Sequence, residues 1–351
     1  MNDSELMRIA INEAKKGKGN VSPNPIVGCI IAKDGKIIAK GYHREFGGKH
    51  AETNAITNSK TETSGAKMYV TLEPCDHFGK QGPCTDAIIK AGIKEIFIAT
   101  KDPNPVSGDG IKKLKENGII INYGLLKKEA TKMNEFYLKS KEQKMPFITI
   151  KMAISTDGKI SYGNGKKKKI TGKQAFEFTQ KLRKENDAII VGVNTIKKDN
   201  PRLNVRNNTR KNPIRIVFDS RASTPVKSKI FSQKGRTIIV CTEDAPLKKV
   251  NTLAKKAEVL FAKKEGKRID IKDALSRIYL IGVNSVLIEP GNRLATTLLS
   301  KMLFNRLCLI ISNKRIGKGL PAFNLKRKII VKIISTKKLG KDFFIYAEKV
   351  D

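Results

Sequence analysis

The sequence predicts an α/β protein made of two consecutive units, residues 1–145 and 146–351, each a sheet flanked by helices. Three observations carry this. Strand-length apolar runs alternate with helix-length amphipathic runs in both halves. At 351 residues the chain is long enough for two domains. A charged stretch, Lys127 to Lys144, without a strong apolar face reads as a linker helix, and Pro146 then opens new alternation.

In the first unit, Ser4 to Lys15 forms an amphipathic helix. Ile26 to Ala32 and Lys36 to Gly41 form strands joined by the turn Lys33-Asp34-Gly35. A helix starts at Ala51, the strand Met68 to Leu72 follows, and Cys84 opens a helix through Ala91. The strand Glu95 to Ala99, then Asp109 to Asn117 and Ile119 to Tyr123, complete a three-layer pattern. In the second unit, Phe147 to Ile154, Asp187 to Val193, Ile214 to Asp219, Thr237 to Cys241, Ser285 to Glu289 and Leu307 to Ser312 read as strands. Gln174 to Lys184 and Leu294 to Met302 read as helices, and Lys328 to Ser335 with Phe343 to Glu348 as a terminal antiparallel pair. No repeat relates the halves, and complete Gly-x-Gly-x-x-Gly and P-loop patterns are absent.

The chemistry is concentrated in His50-Ala51-Glu52, Pro74-Cys75 and Cys84, which fall within 35 residues. Zinc prefers His nitrogen and Cys sulfur, and a catalytic zinc keeps one of four positions open for water. His50, Cys75 and Cys84 supply three ligands, and Glu52 is left beside the open position as a proton shuttle, the pattern of zinc deaminases of nucleobases. Residues i and i+2 point ~200° apart in mid-helix, so His50 and Glu52 converge only if His50 sits at the helix start, where Gly47-Gly48 lead in. Cys84, opening a helix after Gly82-Pro83, gains thiolate character from the helix dipole and free amides. A closed structural site would need a fourth ligand, and His77 lies only two residues from Cys75, an awkward reach. Cys29, Cys241 and Cys308 read as small buried hydrophobes.

Composition bounds the rest. The hydrophobic fraction of 39% suffices for ordinary cores, and no run approaches the ~18 consecutive apolar residues of a membrane span. The start, Met1-Asn2-Asp3-Ser4-Glu5-Leu6, is too polar for a signal peptide, and five scattered cysteines suit a reducing cytoplasm rather than a disulfide framework. The net charge of +37 suggests nucleic acid at first sight. The excess is mostly Lys spread over both halves, and no aromatics interleave the densest run, Lys166 to Lys169, so a specific nucleic-acid partner is not expected. A phosphorylated small substrate would also suit this charge.

Further motifs narrow the reading. Pro23-Asn24-Pro25-Ile26-Val27-Gly28 precedes the His-Ala-Glu motif, eight residues separate Cys75 from Cys84, and Thr71-Leu72-Glu73-Pro74-Cys75-Asp76-His77-Phe78-Gly79 and Asp102-Pro103-Asn104-Pro105 follow. In the second half stand Ile150 to Ile160, Val191-Gly192-Val193-Asn194-Thr195, Asp199-Asn200-Pro201-Arg202-Leu203 and Glu289-Pro290-Gly291. Over nearly its whole length the chain resembles the bifunctional riboflavin-biosynthesis deaminase-reductases. The resemblance implies a cytidine-deaminase-like three-layer domain followed by a dihydrofolate-reductase-like α/β domain, with Zn2+ and NADPH as cofactors, a phosphorylated pyrimidine as substrate and a homo-oligomeric assembly. It also places Asn24, His43, His77, Lys80 and Asn104 near the deaminase substrate, with Lys80 a sensible phosphate partner.

For the reductase it implies Lys151, Asp199 and Glu289 as groups that orient or protonate the sugar, and Arg183 and Arg206, with Leu203, as substrate contacts at its phosphate. Ile154, Thr195, Asp199, Ser220 and Gly291, Asn292, Arg293, Leu294 and Ala295 match its cofactor positions. Lys167 and Lys169 stand where the family often has Ser and Trp, and the chain has no Trp. One of these lysines contacts an anionic substrate or cofactor group, or the run is solvated surface charge. The competing readings are a tRNA deaminase with a basic accessory domain and a zinc-stabilised interaction protein. The eight-residue cysteine gap and the reductase-like half argue against the first, and the spare Glu52 against the second.

Overall fold

The computed structural model describes residues 1–163, 169–206 and 212–350, and the chain divides into two compact units, Met1–Gln143 and Lys144–Asp351. The first runs α1 (Asp3–Ala14), β1 (Gly28–Lys33), β2 (Lys36–Tyr42), α2 (Ala51–Asn58), β3 (Lys67–Val70), α3 (Cys84–Lys90), β4 (Glu95–Ile98), α4 (Gly110–Glu116), β5 (Ile120–Tyr123), α5 (Lys127–Met133) and α6 (Glu135–Gln143). Its sheet has the order β2-β1-β3-β4-β5. β1 is antiparallel to both neighbours, and β3, β4 and β5 are parallel.

The central strands are apolar on both faces because both faces are covered. Side chains alternate across a strand. Ile31, Met68, Val70, Ile96 and Ile98 therefore pack with Ala51, Ala55, Ile88 and Leu114 of α2, α3 and α4. Ile30, Tyr69 and Phe97 pack on the opposite face with Leu6, Met7 and Ile11 of α1. Two glycines let the elements that carry chemistry come close. A side chain at Gly41 of β2 would meet the Ala51 oxygen and Ala55 nitrogen of α2 at 2.3 Å, and one at Gly110 would meet the Pro74 oxygen at 1.9 Å.

The single linker helix expected over Lys127 to Lys144 is instead two helices of the first unit. The buried Asn134 breaks it with φ −102 and ψ 19. Its side chain accepts from Ile26 N at 2.9 Å and donates to Ile26 O at 2.7 Å, a local competition with helix geometry. Ala130, Tyr137, Leu138 and Ser140 are buried in the first unit, so this segment is wall rather than tether.

The second unit runs β6 (Phe147–Ile154), β7 (Lys159–Tyr162), α7 (Lys173–Glu185), β8 (Ala188–Gly192), α8 (Val193–Asp199), β9 (Ile214–Phe218), β10 (Thr237–Thr242), α9 (Leu247–Ala254), β11 (Glu258–Ala262), β12 (Lys264–Glu265), β13 (Arg268–Ile269), α10 (Ile271–Leu280), β14 (Ser285–Ile288), α11 (Asn292–Ser300), β15 (Arg306–Ile311), β16 (Gly319–Pro321), β17 (Val331–Leu339) and β18 (Asp342–Lys349). Its main sheet is ordered β11-β10-β9-β8-β14-β6-β15-β18-β17. All pairs are parallel up to β15, after which β18 and β17 add antiparallel. Ile150, Ile190, Ile216 and Ile288 face α10 and α11 through Leu275, Ile278, Leu298 and Leu299. Ile189, Val191, Val217 and Ile239 face α8 and α9 through Ile196, Val250 and Leu253.

Helices α8, α9 and α10, strand β11 and the short pairs β7–β16 and β12–β13 are absent from the sequence reading. Helix α8, Val-Asn-Thr-Ile-Lys-Lys-Asp, is poor in strong helix formers and depends on burying Ile196. Helix α10 had a readable period, Ile271, Ala274, Leu275 and Ile278, behind an Asp270 cap. Among the described residues no helix is long and apolar enough to cross a membrane.

Candidate functional site

His50 is the N-cap of α2, with extended backbone at φ −70 and ψ 166 and no side-chain cap bond, so its ring is free to turn away from the helix. Cys84 is the first residue of α3, and Cys75 lies in the turn after β3, tied to α3 by Thr85 N donating to Cys75 O at 3.3 Å. The His50 Nδ1 atom is 3.1 Å from Cys84 Sγ and 3.4 Å from Cys75 Sγ, and the three donor atoms lie within 4.8 Å of one another. Tetrahedral donors at 2.0–2.3 Å from one zinc are about 3.5 Å apart. The donor set and its spacing therefore fit zinc.

Glu52 sits one turn-step inside α2 and is 3% exposed. Burial pushes its carboxyl up to about 7 against the pull of His50, so it can both take and give a proton near neutrality. The Cys75–Cys84 hydrogen bond lowers the Cys75 pKa to about 4 and, with burial, raises that of Cys84; a zinc ion held by both would keep both as thiolates.

His50, Glu52 and Cys75 line a cavity of about 320 Å³. Asn24, His43, His77, Lys80 and Asn104 line it, as do Phe46, Asp102, Ser107 and Tyr137, which the sequence reading does not single out. His43 is buried, and desolvation lowers its pKa, so the ring is neutral. With Nδ1–H donating to Lys49 O at 3.0 Å, Nε2 accepts from Asn24 Nδ2 at 3.2 Å, which fixes the Asn24 amide. The His77 Nδ1 atom is buried and has no hydrogen-bond partner among the described residues. Asp102 accepts from Asn104 N at 2.9 Å, Ser107 Oγ at 2.6 Å and Tyr137 OH at 3.0 Å, which locks the loop that carries Asn104. Tyr137 comes from the segment expected to be a linker.

In the second unit Lys151 lies on β6 and Glu289 just beyond β14, its sheet neighbour. Arg183 of α7 grips Glu289 with both ends of its fork, Nε to Oε1 at 2.7 Å and Nη2 to Oε2 at 2.9 Å, and gives Nη1 to Asn204 O at 3.2 Å. Burial raises the Glu289 pKa, but Arg183 and Lys151 more than offset it and hold the carboxylate below its ordinary range. Burial pulls the Lys151 ammonium down, with Glu289 opposing. The three form one charged cluster.

Thr195 and Asp199 stand on α8, and Leu203 beyond it is buried at φ +51, an uncommon conformation for a bulky residue. Ser220 follows β9, its Oγ accepting from Ile269 N at 3.1 Å, which leaves the hydroxyl proton available. Gly291 is the N-cap of α11 with no side-chain cap bond, and a side chain there would meet nothing within 4 Å. Open space at Gly291 leaves room at the start of this nine-residue helix for the anionic part of a dinucleotide. Asn292 is pinned by donation to Pro321 O at 2.9 Å, while Arg293 is exposed, Leu294 partly buried and Ala295 in the core. Ile154 ends β6. These positions gather at the carboxyl ends of β9, β8, β14 and β6, consecutive strands of a parallel sheet, where such folds place ligands. Arg206 and Lys169 flank the ring of Phe176, 5.0 and 5.8 Å from its centroid. Lys167 lies outside the described residues.

Residues 146–345 match the family described as the RibD C-terminal domain, and residues 1–100 match the cytidine and deoxycytidylate deaminase zinc-binding region. The riboflavin biosynthesis protein RibD of Actinobacillus pleuropneumoniae is 38% identical over 356 residues, covering 98% of this chain and 95% of its own. RibD of Aquifex aeolicus is 37% identical over 354 residues, covering 99% and 98%. Among solved structures, a diaminohydroxyphosphoribosylaminopyrimidine deaminase/5-amino-6-(5-phosphoribosylamino)uracil reductase from Thermotoga maritima superposes with a TM-score of 0.87 at 35% identity, over 99% of this chain and 98% of that one. RibD of Acinetobacter baumannii superposes with a TM-score of 0.90 at 29% identity, over 99% of both chains.

Proposed function

The chain belongs to the RibD family of bifunctional deaminase-reductases of riboflavin biosynthesis, and on that premise we propose the substrates and residue roles that follow. The N-terminal unit hydrolytically deaminates 2,5-diamino-6-(5-phosphoribosylamino)pyrimidin-4-one. The C-terminal unit then reduces the ribosyl group of 5-amino-6-(5-phosphoribosylamino)uracil to ribityl. The observation that carries this is the His50, Cys75 and Cys84 triad beside buried Glu52 at a substrate-sized cavity, in a chain whose other half is a reductase.

Zinc, held by His50, Cys75 and Cys84, supplies Lewis acidity to water. Glu52 takes the proton from the attacking water and delivers it to the departing ammonia, a role suited to its raised pKa. Neutral His43 holds the Asn24 amide and Asp102 holds the Asn104 backbone, and both residues meet the pyrimidine. His77 offers its unpartnered ring nitrogen, and Lys80 meets the phosphate.

In the second unit NADPH supplies the hydride. Gly291 to Ala295, with Ile154, Thr195, Ser220 and Lys169, hold the cofactor. The carboxylate of Glu289 orients the opened sugar and the Lys151 ammonium supplies its proton, with Asp199 of α8 as a third group that orients the sugar. Arg183 keeps Glu289 ionised, and Arg206, which stands on Phe176 with the backbone of Leu203 nearby in sequence, faces the phosphate. The enzyme works in the cytoplasm as a homo-oligomer. Edge strand β17 leaves Ile333 and Ile334 exposed beside Ile330, a surface that a second copy would cover. A tRNA deaminase is not favoured, because a reductase unit occupies the place of the basic accessory domain.

The test is incubation of the zinc-loaded protein with the phosphoribosyl diaminopyrimidine, with and without NADPH. Ammonia release without NADPH, and a ribityl product only with it, is the expected result. Ammonia release with no NADPH consumption after addition of the deaminated intermediate would refute the reductase half.

A further inference from the structure

The Lys80 side chain lies across the mouth of the deaminase cavity. Its ammonium is 4.2 Å from the centroid of Phe46, well inside cation–π range. Both residues line the cavity that holds His50 and Glu52. Lys80 reaches Phe46 over Gly47, where a Cβ would sit 3.3 Å from its Cδ and 3.5 Å from its Nζ. Gly47 has φ +84, so its lack of a side chain serves both the turn and the passage of the lysine. Gln81 Nε2 donates to Gly47 O at 3.3 Å beside this contact, and Phe46 N donates to Asn20 O at 3.2 Å, which anchors the ring's backbone. The loop leading into His50 and the loop leading into Cys84 are thus clasped together above the metal ligands.

The nature of the clasp matters. A carboxylate would hold a lysine by neutralising it. An aromatic face holds the ammonium while leaving its charge and its three N–H donors unspent. Among the described residues no carboxylate lies within ion-pairing distance of the Lys80 ammonium. A flexible lysine also loses rotamer freedom when it closes on an anion, and a resting place at the mouth reduces that loss.

We propose that Phe46 is a specificity-determining positioning residue, which parks the Lys80 ammonium, unpaired with any carboxylate, where it selects aminopyrimidines that carry a phosphate at the end remote from the reacting ring. This rests on the reading of Lys80 as the phosphate partner. It assigns to Phe46, an exposed aromatic with no chemistry of its own, the preference for phosphorylated over unphosphorylated substrate.

Deamination kinetics of the zinc-loaded full chain test it, with the phosphorylated substrate and its dephosphorylated counterpart, for Phe46→Leu, Phe46→Tyr, Lys80→Met and the Phe46→Leu/Lys80→Met pair. Zinc content checks each variant, and Phe46→Met serves as a second aliphatic probe if Phe46→Leu loses metal. Phe46→Leu is expected to lower the ratio of kcat/KM for the two substrates about three- to tenfold, through KM for the phosphorylated one. Tyr at position 46 restores the ratio, and Phe46→Leu adds nothing once Lys80 is Met. If Lys80→Met abolishes the preference while Phe46→Leu leaves it intact, or weakens both substrates equally, the role of Phe46 is overturned and the phosphate reading stands. If Lys80→Met leaves the preference intact, the phosphate reading fails and this inference with it.

Discussion

The zinc pocket of the first unit draws its ligands and Glu52 from 35 consecutive residues, held at two helix starts and one turn. The charged cluster of the second unit pairs Arg183 with Glu289 across 106 positions and sets Lys151 beside them from another strand. On the proposed roles, the first site is compact because its groups must hold a metal, bury a carboxyl and pass a proton at one place. In the second the reducing power comes with the cofactor, and the protein supplies a platform of parallel strand ends and a few placed charges. The difference teaches where each site is fragile. Loss of one metal ligand is expected to remove a reaction, whereas loss of one charge in the cluster is expected to disturb both catalysis and packing.

The sharpest way to break the comparison is to remove a ligand. Cys75→Ser or Cys84→Ser is expected to abolish both bound zinc, about one per chain in the parent, and ammonia release. Metal analysis checks this, and full zinc occupancy in both variants would dismiss the site. Next in size is Glu52→Gln, which keeps zinc but lowers deaminase turnover on the order of a hundredfold or more. Near-normal ammonia release from this variant would rule out the shuttle.

The cluster of the second unit predicts a different signature. Glu289→Gln leaves Arg183 and Lys151 without their carboxylate. Because both Arg183 and Glu289 are less than one-fifth exposed, unfolding stability should fall by about 3 kcal/mol at pH 7 along with reductase activity. The folded pKa of Glu289 is depressed, so its contribution is present above the unfolded carboxyl pKa of about 4.3 and is lost as pH falls through the folded value. Melting curves of parent and variant should therefore converge on acidification. A gap that stays constant down to the acid limit would remove the charge from the explanation. The smallest effect belongs to Lys167 and Lys169. Changing them to Ser and Trp should raise KM for NADPH or substrate a few-fold, with the difference shrinking at high salt. Unchanged KM values would leave the run as surface charge.

How much of this was legible follows the same division. Zinc chemistry demands particular residue types, so His50, Cys75, Cys84 and Glu52 announced themselves, and the helix-start argument for His50 describes the N-cap the structure has. The long apolar strands were readable from their runs. Tyr137 was not, because α6 carries a charged sequence whose buried residues emerge only once Asn134 breaks the helix, and nothing in the Asp102 motif says that Tyr137 binds it. Phe46 was not, because its partner Lys80 arrives from a separate loop. The Arg183–Glu289 fork was invisible for the same reason on a larger scale: both residues were noticed, but no local pattern says that they bind each other. Helix α8 was missed because its stability comes from Ile196 packing against the sheet rather than from its composition.

The central claim is that one chain carries two separable active sites. Its most direct test measures ammonia release and NADPH oxidation separately in Glu52→Gln and Glu289→Ala, each supplied with the substrate proper to the reaction being read. Glu52→Gln should oxidise NADPH with the deaminated intermediate at the parental rate while releasing almost no ammonia, and Glu289→Ala should show the reverse. Loss of both activities in either variant, with zinc and fold intact, would contradict the account.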